Sequence, residues 1–430
     1  MKEDFLHYVW LHQYFDKQHM VCSTGETVQV IRTGLLNTNA GPDFLDAQVK
    51  IGQEIWTGSV EVHLKASDWL RHQHQTDIRY DQVVLHVVWE NDQPLQRTDG
   101  SFIPTIALQD RVQPTLLQNY LQLKKEKSTI PCGPFINQVP GLPILQMLDR
   151  VLFERLELKA QRIIDLLERN KQDWEETTYQ ALVSNFGFKI NQDSFLQLSK
   201  VLPFGIIRKH SSQRLPIEAL LFGQAGFLQD VPAEDEYLQS LQKEFTYLRH
   251  KYKLTASMRA QDWNFLRLRP ANFPTVRLAQ LAAFLDGKTH LFSILLALPN
   301  LQEYTKLFGN EVSPYWQKHY MPGRENKILA AGMGQESKTN LLINTMVPLL
   351  FAYGRYHHQQ ELIDKAISLL ESLPPEKNHI TQIYSGLSLK NKTAADSQAF
   401  LQLNQGYCVP RNCLYCSVGH YILRTALATA

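Results

Sequence analysis

Apolar and polar residues alternate with period two through much of the first hundred residues. Residues 27–36 are rich in β-formers and end in the turn-forming run Asn37-Thr38-Asn39-Ala40-Gly41-Pro42. Residues 43–51 alternate, Gly52-Gln53 fits a two-residue hairpin turn, and residues 54–64 alternate again. Residues 83–89 form the continuous apolar run of a buried strand, and 102–108 predict one more. A short amphipathic helix on Phe5, Val9, Leu11, His12 and Phe15 comes first. Residues 66–75, with Ser67 and Asp68 as caps, predict a short helix or loop between the third and fourth long strands. The order is α-β-β-β-α-β, for which a mixed sheet is expected.

Past residue 110 the period changes. Residues 111–140 read as a connector, with Lys124-Lys125-Glu126-Lys127 followed by Ile130-Pro131-Cys132-Gly133-Pro134. Helical spacing then runs through 145–170, 274–287, 340–353 and 360–373, the last stopped by Pro374-Pro375. The expected fold is α+β: an α/β domain over 1–110, a connector over 111–140 and a mostly helical region over 141–430. A chain of 430 residues, 44% hydrophobic and 20% charged, has the composition of a globular protein rather than a disordered one. The apolar stretches 290–298 and 346–353 fall short of the roughly 20 residues that span a bilayer. Acids near the start, Glu3 and Asp4, stand where a signal peptide carries bases. A cytoplasmic protein with no membrane partner is expected. Five cysteines exclude a disulfide-dense scaffold.

The formal charge of +2 hides an asymmetry. Residues 1–110 carry 8 Lys and Arg against 15 Asp and Glu; the remainder carries 36 against 27. Seven of the 15 histidines also lie in the first 110 residues. An acidic, His-rich front suits metal-assisted chemistry, and a basic rear suits a polyanion. Within the front, Asp43 opens one strand and Glu61 lies inside the next, so a hairpin brings both carboxylates to one edge. Glu61, His63 and Lys65 share a strand face. Two carboxylates with a neighbouring base make a Mg²⁺ or Mn²⁺ site able to activate water for phosphodiester hydrolysis.

The element order, with Pro42-Asp43 on the second strand and Glu61-x-His63 on the third, resembles the PD-(D/E)xK nuclease superfamily. The resemblance implies that Asp43 and Glu61 bind metal and that a basic residue positions water. The family's Lys falls on His63 here, and Lys65 lies two residues on. Glu3 resembles an extra acid that some members carry on the first helix. The whole chain also resembles an uncharacterised bacterial family, best known from Bacteroidetes. That likeness rests on Val60-Glu61-Val62-His63-Leu64-Lys65, Arg269-Pro270-Ala271-Asn272-Phe273-Pro274 and Cys413-Leu414-Tyr415-Cys416, and it implies no activity. A second reading of the region groups His63, His72, His74, Asp77 and His86 as a zinc site or as proton donors.

Cys408-x4-Cys413-x2-Cys416 places three of five thiols within nine residues. In a reducing compartment this pattern reads as a metal site, zinc or iron–sulfur, with Cys132 or His420 as fourth ligand. It resembles the arrangement in nucleases that close an iron–sulfur cluster with one distant and three clustered cysteines. The stretch from Gly332 to Thr339 is one residue from a phosphate-binding loop, with Ser337 read as a helix cap. Basic runs at Arg208-Lys209-His210 and Arg249–Lys253, then Arg259, Arg267, Arg269 and Arg277, interleave with Tyr247, Tyr252, Trp263 and Phe265. Such a pattern suits nucleic acid. The sequence therefore predicts a metal-dependent nuclease-like protein on Asp43, Glu61, His63 and Lys65. The alternatives are a non-catalytic nucleic-acid or protein binding module on the same fold, or a metal-stabilised helical scaffold.

Overall fold

A computed structural model describes residues 1–97, 99–255, 257–325 and 332–425. The alternating segments form β1 (Val28–Arg32), β2 (Leu35–Leu36), β3 (Phe44–Ile51), β4 (Glu54–Lys65), β5 (Val83–Glu90) and β6 (Thr105–Ala107). They build one mixed sheet in the order β1-β3-β4-β5-β6, with β2 paired to β3. The β1–β3 and β3–β4 pairs are antiparallel; β4–β5 and β5–β6 are parallel. The β3–β4 hairpin closes with Ile51 opposite Glu54, and Gly52 in its turn takes φ +60°, which costs a glycine little. A parallel return from β4 to β5 needs a crossover. Here it is a compact one, α2 (Asp68–Arg71) followed by two 3₁₀ turns, His74–Thr76 and Ile78–Tyr80. It delivers His72 and His74 to the sheet.

Helix α1 (Glu3–Leu11) packs against β4. Its buried residues are Phe5, Leu6, Tyr8, Val9 and Trp10, and its acids Glu3 and Asp4 sit in the first turn, where the helix dipole favours them. Burial of Phe5 stabilises by about 1.5–3 kcal/mol. Trp10 Nε1 donates to Thr33 O at 3.0 Å, which ties the helix to the segment after β1. Asp4 accepts from Tyr120 Oη at 2.8 Å and Lys124 Nζ at 3.1 Å, both on α3 (Pro114–Lys125).

The chain divides into two compact units, Met1–Asp149 with residues from Gln402 on, and Arg150–Leu401. The C-terminal segment thus groups with the α/β front instead of with the helical region. The cause is local. The last carbonyls of the helix Ser417–Arg424 lack intrahelical donors, and Asn119 Nδ2 serves Ile422 O, Leu423 O and Thr425 O at 3.0, 3.3 and 2.9 Å. The helical unit contains α5 (Trp174–Phe186) and a helix buried at every position but Val276, Pro274–Leu285, opened by its proline. The helix expected over 340–353 is interrupted by a π-helical turn, Leu342–Met346, between Gln335–Leu341 and Val347–Tyr356. Gly334, not Ser337, precedes its first turn, and the Ser337 hydroxyl accepts from Arg277 Nη2 at 2.9 Å.

Strand β4 is threaded tightly past β5. A Cβ on Gly58 meets Gln82 O and Val84 Cγ1 at 2.6 Å, closer than real contacts allow. Gly58→Ala is expected to destabilise by about 1–3 kcal/mol, read by chemical denaturation. An unchanged midpoint contradicts the close approach.

Candidate metal centre

Asp43 and Glu61 are locked together by backbone donors from each other's strand. Asp43 N–H donates to Glu61 Oε2 at 3.1 Å, and Val62 N–H donates to Asp43 Oδ2 at 3.0 Å. The hairpin register, with Phe44 opposite Val60, sets this pairing. A bulge follows at once between Phe44 and Ala47, with Asp46 at φ +56°. Such bulges bend a strand and re-aim its side chains. Helix α1 adds His7, whose Nε2 lies 3.2 Å from Asp43 Oδ2. Glu3 stands one turn earlier, and its carboxyl is raised by burial and then by the Asp43 charge.

Histidines surround the far side of Glu61. Period two puts His63 on the same face of β4. His63 Nε2 is 3.4 Å from Glu61 Oε1 and 3.1 Å from His72 Nδ1. Its Nδ1 is 2.9 Å from Nε2 of His86, because the parallel register sets His86 opposite Glu61. His74 Nε2 lies 3.2 Å from Glu61 Oε1, and the ring stacks on Tyr80 at 3.8 Å and on His63 at 5.2 Å between centroids. One ligand atom from each of His63, His72 and His74 lies within 4.8 Å of the others.

Glu61 is 4% exposed and His63 2%. Burial, then the Asp43 charge, pushes the Glu61 carboxyl far above the ordinary carboxylate range. Burial, then the neighbouring His86, His74 and His72, pushes His63 down to about 2. Burial lowers His86 to about 3. His74 is also lowered, by burial first. His7 moves the other way: burial opposes its charge, but the bond to Asp43 and the Asp43 charge outweigh it. At neutral pH the cluster therefore sets a protonated Glu61 beside neutral His63, His74 and His86. In the tautomer that donates His63 Nδ1–H to His86 Nε2, the His63 Nε2 lone pair faces Glu61 and His72, where a metal ion would take it.

His74 Nε2 is buried and faces Glu61 Oε1 at 3.2 Å without hydrogen-bond alignment, and His7 Nε2 pairs with Asp43 Oδ2 at 3.2 Å. Imidazole nitrogens and carboxyl oxygens that converge in this way can hold a divalent cation once the carboxyl gives up its proton. A mixed N/O donor set suits Mn²⁺ or Zn²⁺ better than Mg²⁺, which takes oxygen ligands. Of the residues predicted from sequence, Glu61 meets both Asp43 and His63, while among the described residues the three whose ligand atoms all lie within 4.8 Å of one another are His63, His72 and His74. Lys65 is half-exposed at the end of β4, with its amine 3.3 Å from Glu90, its register partner on β5. Asp77 is held by Arg79 at 2.9 Å and does not join His72 and His74.

A family model described as a protein of unknown function, DUF2851, matches residues 3–379. The chain belongs to the DUF2851 family. No curated protein and no solved structure matches it. All the residues of the carboxylate–histidine cluster fall inside the matched DUF2851 region, as does Cys132; Cys408, Cys413 and Cys416 follow it. Among the described residues of this DUF2851 chain, no helix is long and apolar enough to cross a membrane.

The cysteines occupy the same unit. Cys408 ends a π-helical turn, Cys413 opens a 3₁₀ turn and Cys416 precedes the helix Ser417–Arg424. Arg411 Nη2 donates to Ser128 O at 3.3 Å, tying this segment to the connector that carries Cys132. Burial, then the charges of Cys408, Cys416 and Cys413, raises the Cys132 thiol well above its ordinary value. His420 is engaged elsewhere: its Nδ1 meets Tyr8 Oη at 3.1 Å and its Nε2 meets Tyr14 Oη at 2.7 Å. In the basic runs, Arg277 is buried and bonded to Gln280 and Asn272, and Trp263 is buried with Nε1 on Ala225 O. Both serve packing. Sequence reasoning missed His7 as a member of the cluster, although its i, i+4 spacing from Glu3 on an acidic-ended helix was a readable signal.

Proposed function

We propose that this chain is a divalent-metal-dependent phosphodiesterase acting on DNA or RNA. The observation that carries the reading is the locked Asp43–Glu61 pair, with His63 Nε2 and His74 Nε2 both within 3.4 Å of Glu61 Oε1. The resemblance to the PD-(D/E)xK superfamily, in element order and in Pro42-Asp43 with Glu61-x-His63, supports the choice of a phosphodiester over other esters. Asp43, Glu61 and His63 hold the cation. A bound Mn²⁺ or Zn²⁺ supplies Lewis acidity toward a phosphoryl oxygen and lowers the pKa of water. His86 fixes the ring of His63. His74 accepts a proton from the attacking water, and the exposed His72 gives one to the leaving oxygen.

The test is cleavage of mixed single- and double-stranded DNA and RNA with Mn²⁺, Zn²⁺ or Mg²⁺. Metal-dependent cleavage is expected, reduced at least about 100-fold in Asp43→Asn. Equal cleavage by both proteins contradicts the assignment. One observation favours the alternative of a non-catalytic binding module: the Lys65 amine pairs with Glu90, so the carboxylates lack the family's lysine. That alternative predicts metal and salt-sensitive nucleic-acid binding without cleavage.

Cys132, Cys408, Cys413 and Cys416 are proposed as a second, structural site for zinc or an iron–sulfur cluster. Support comes from the charges that the three clustered thiols exert on Cys132 and from the bond between Arg411 and Ser128. Protein purified without air is expected to carry about one zinc or one visible-absorbing cluster, and Cys416→Ser is expected to lose it and to melt earlier. Protein free of zinc and iron that melts like Cys416→Ser contradicts the site.

A further inference from the structure

The helix α4 (Gly141–Arg169) carries Arg155, Lys159, Arg162 and Arg169 at spacings of four, three and seven residues, which fall on one face. All four line a cavity of about 700 Å³ in the helical unit, together with Asn185 and Lys189. Asp165 is the one carboxylate among the lining residues, and it accepts from Gln161 at 2.8 Å. The cations are thus oriented chiefly by neutral amides. Lys159 Nζ donates to Asn344 Oδ1 at 2.9 Å and to Gln398 Oε1 at 2.6 Å, and Arg155 Nε donates to the same Gln398 oxygen at 2.5 Å. Glu376 stands behind, bonded to the amide nitrogen of Gln398.

The wall opposite is shaped to persist. Asn344 lies in the π-helical turn Leu342–Met346, a feature often found at functional sites, and Asn185 Nδ2 donates to its carbonyl at 3.1 Å. Phe188, also lining the cavity, holds φ +50° with the Arg277 guanidinium 4.2 Å from its ring centroid. A left-handed backbone in an aromatic residue is kept only where its surroundings impose it. Among the described residues, Arg162, Arg169 and Lys189 make no ion pair. Burial, then the Arg155 charge, lowers Lys159 to about 7, as expected of a cation cluster short of anions.

We propose that this cavity binds a phosphorylated ligand of nucleotide size, with its phosphoryl oxygens on Lys159, Arg162 and Arg169. Guanidinium forks match phosphate geometry, and the volume lies in the range of about 300–1,000 Å³ typical of small-molecule sites. Phe188 offers an aromatic surface to the remainder of the ligand. The site is independent of the phosphodiesterase reading, since all its residues belong to the helical unit.

The experiment is calorimetric titration of the full chain with inorganic pyrophosphate and with ATP, at physiological salt and without added divalent metal. Wild type is compared with Arg162→Ala/Arg169→Ala, whose replaced side chains are exposed, and with Lys159→Met. Saturable binding is expected in wild type and at least about tenfold weaker binding in the double variant. Tighter ATP than pyrophosphate places the nucleoside in the cavity; equal affinities mean that the phosphates alone are recognised. No saturable binding of either probe, or undiminished binding in the double variant, overturns the proposal. Should Lys159→Met melt early, the double arginine variant carries the test alone.

Discussion

Glu61→Gln is expected to abolish metal-dependent cleavage, by at least about 100-fold, and at the same time to raise the melting temperature of the metal-free protein. The first effect follows from loss of an anionic ligand. The second follows from the site's electrostatics. In the fold, burial and the Asp43 charge keep the Glu61 carboxyl protonated at neutral pH. In the unfolded chain the same group ionises near about pH 4.3. Above that value the unfolded state releases a proton that the folded state retains. Stability from this group is therefore full below the unfolded pKa and is lost as pH rises through the window up to the raised folded pKa. Glutamine has no proton to lose and keeps an oxygen to accept from Asp43 N–H. The variant is expected to be more stable by about 1–3 kcal/mol at pH 7.5, and the gap widens with pH by up to about 1.4 kcal/mol per unit. His63 and His86 act oppositely. Their depressed values cost stability as pH falls below about 6.5, but wild type and variant share that loss, so the difference isolates Glu61. Paired thermal melts from pH 6 to 8.5 with chelator present read the effect. A variant less stable than wild type at every pH contradicts the protonated carboxyl.

Mn²⁺ affinity is expected to rise about tenfold per pH unit between pH 6 and 8. A ligand carboxylate must lose its proton before it coordinates, and Glu61 holds one throughout this range. His63 adds nothing to the slope, because burial and its His neighbours already keep it neutral. One proton released per ion gives the tenfold dependence. Asp43→Asn removes the like charge that helps to raise Glu61, so its slope is expected to flatten while its affinity at high pH is weaker. Titration calorimetry in buffers of different ionisation enthalpy measures the proton directly. Affinity independent of pH contradicts the assignment of Glu61 as the titrating ligand.

The sheet was legible because alternation with period two survives wherever one face of a strand is buried. All five of the longer segments read as strands became β1, β3, β4, β5 and β6, and the hairpin at Gly52 followed from its turn residues. The carboxylate pair was legible for the same reason: Asp43 at the opening of one strand and Glu61 inside the next are neighbours in any hairpin with that turn. The role of His72 and His74 was only half legible. Their pairing with His63 depends on how a short crossover folds over β4, and the nearest acid in sequence, Asp77, is drawn off by Arg79. Lys65 shares a strand face with Glu61, but the parallel register puts Glu90 beside it, and the ion pair forms there. The return of the C-terminal segment to the front unit had no local signal except the cysteines, since Asn119 and the carbonyls it serves are about 300 residues apart. The cationic stripe on α4 was written in the helical spacing of Arg155, Lys159, Arg162 and Arg169. Its meaning waited on the cavity, because such a stripe is ordinarily a solvated face.

Asp43, Glu61 and His63 are expected to hold a divalent cation. An anomalous difference map from crystals equilibrated with Mn²⁺ at pH 8 tests it most directly. A single strong peak is expected within about 2.0–2.3 Å of a Glu61 carboxylate oxygen and of His63 Nε2, absent in Glu61→Gln crystals. A map without a peak at Glu61, or with one that persists in the variant, contradicts it.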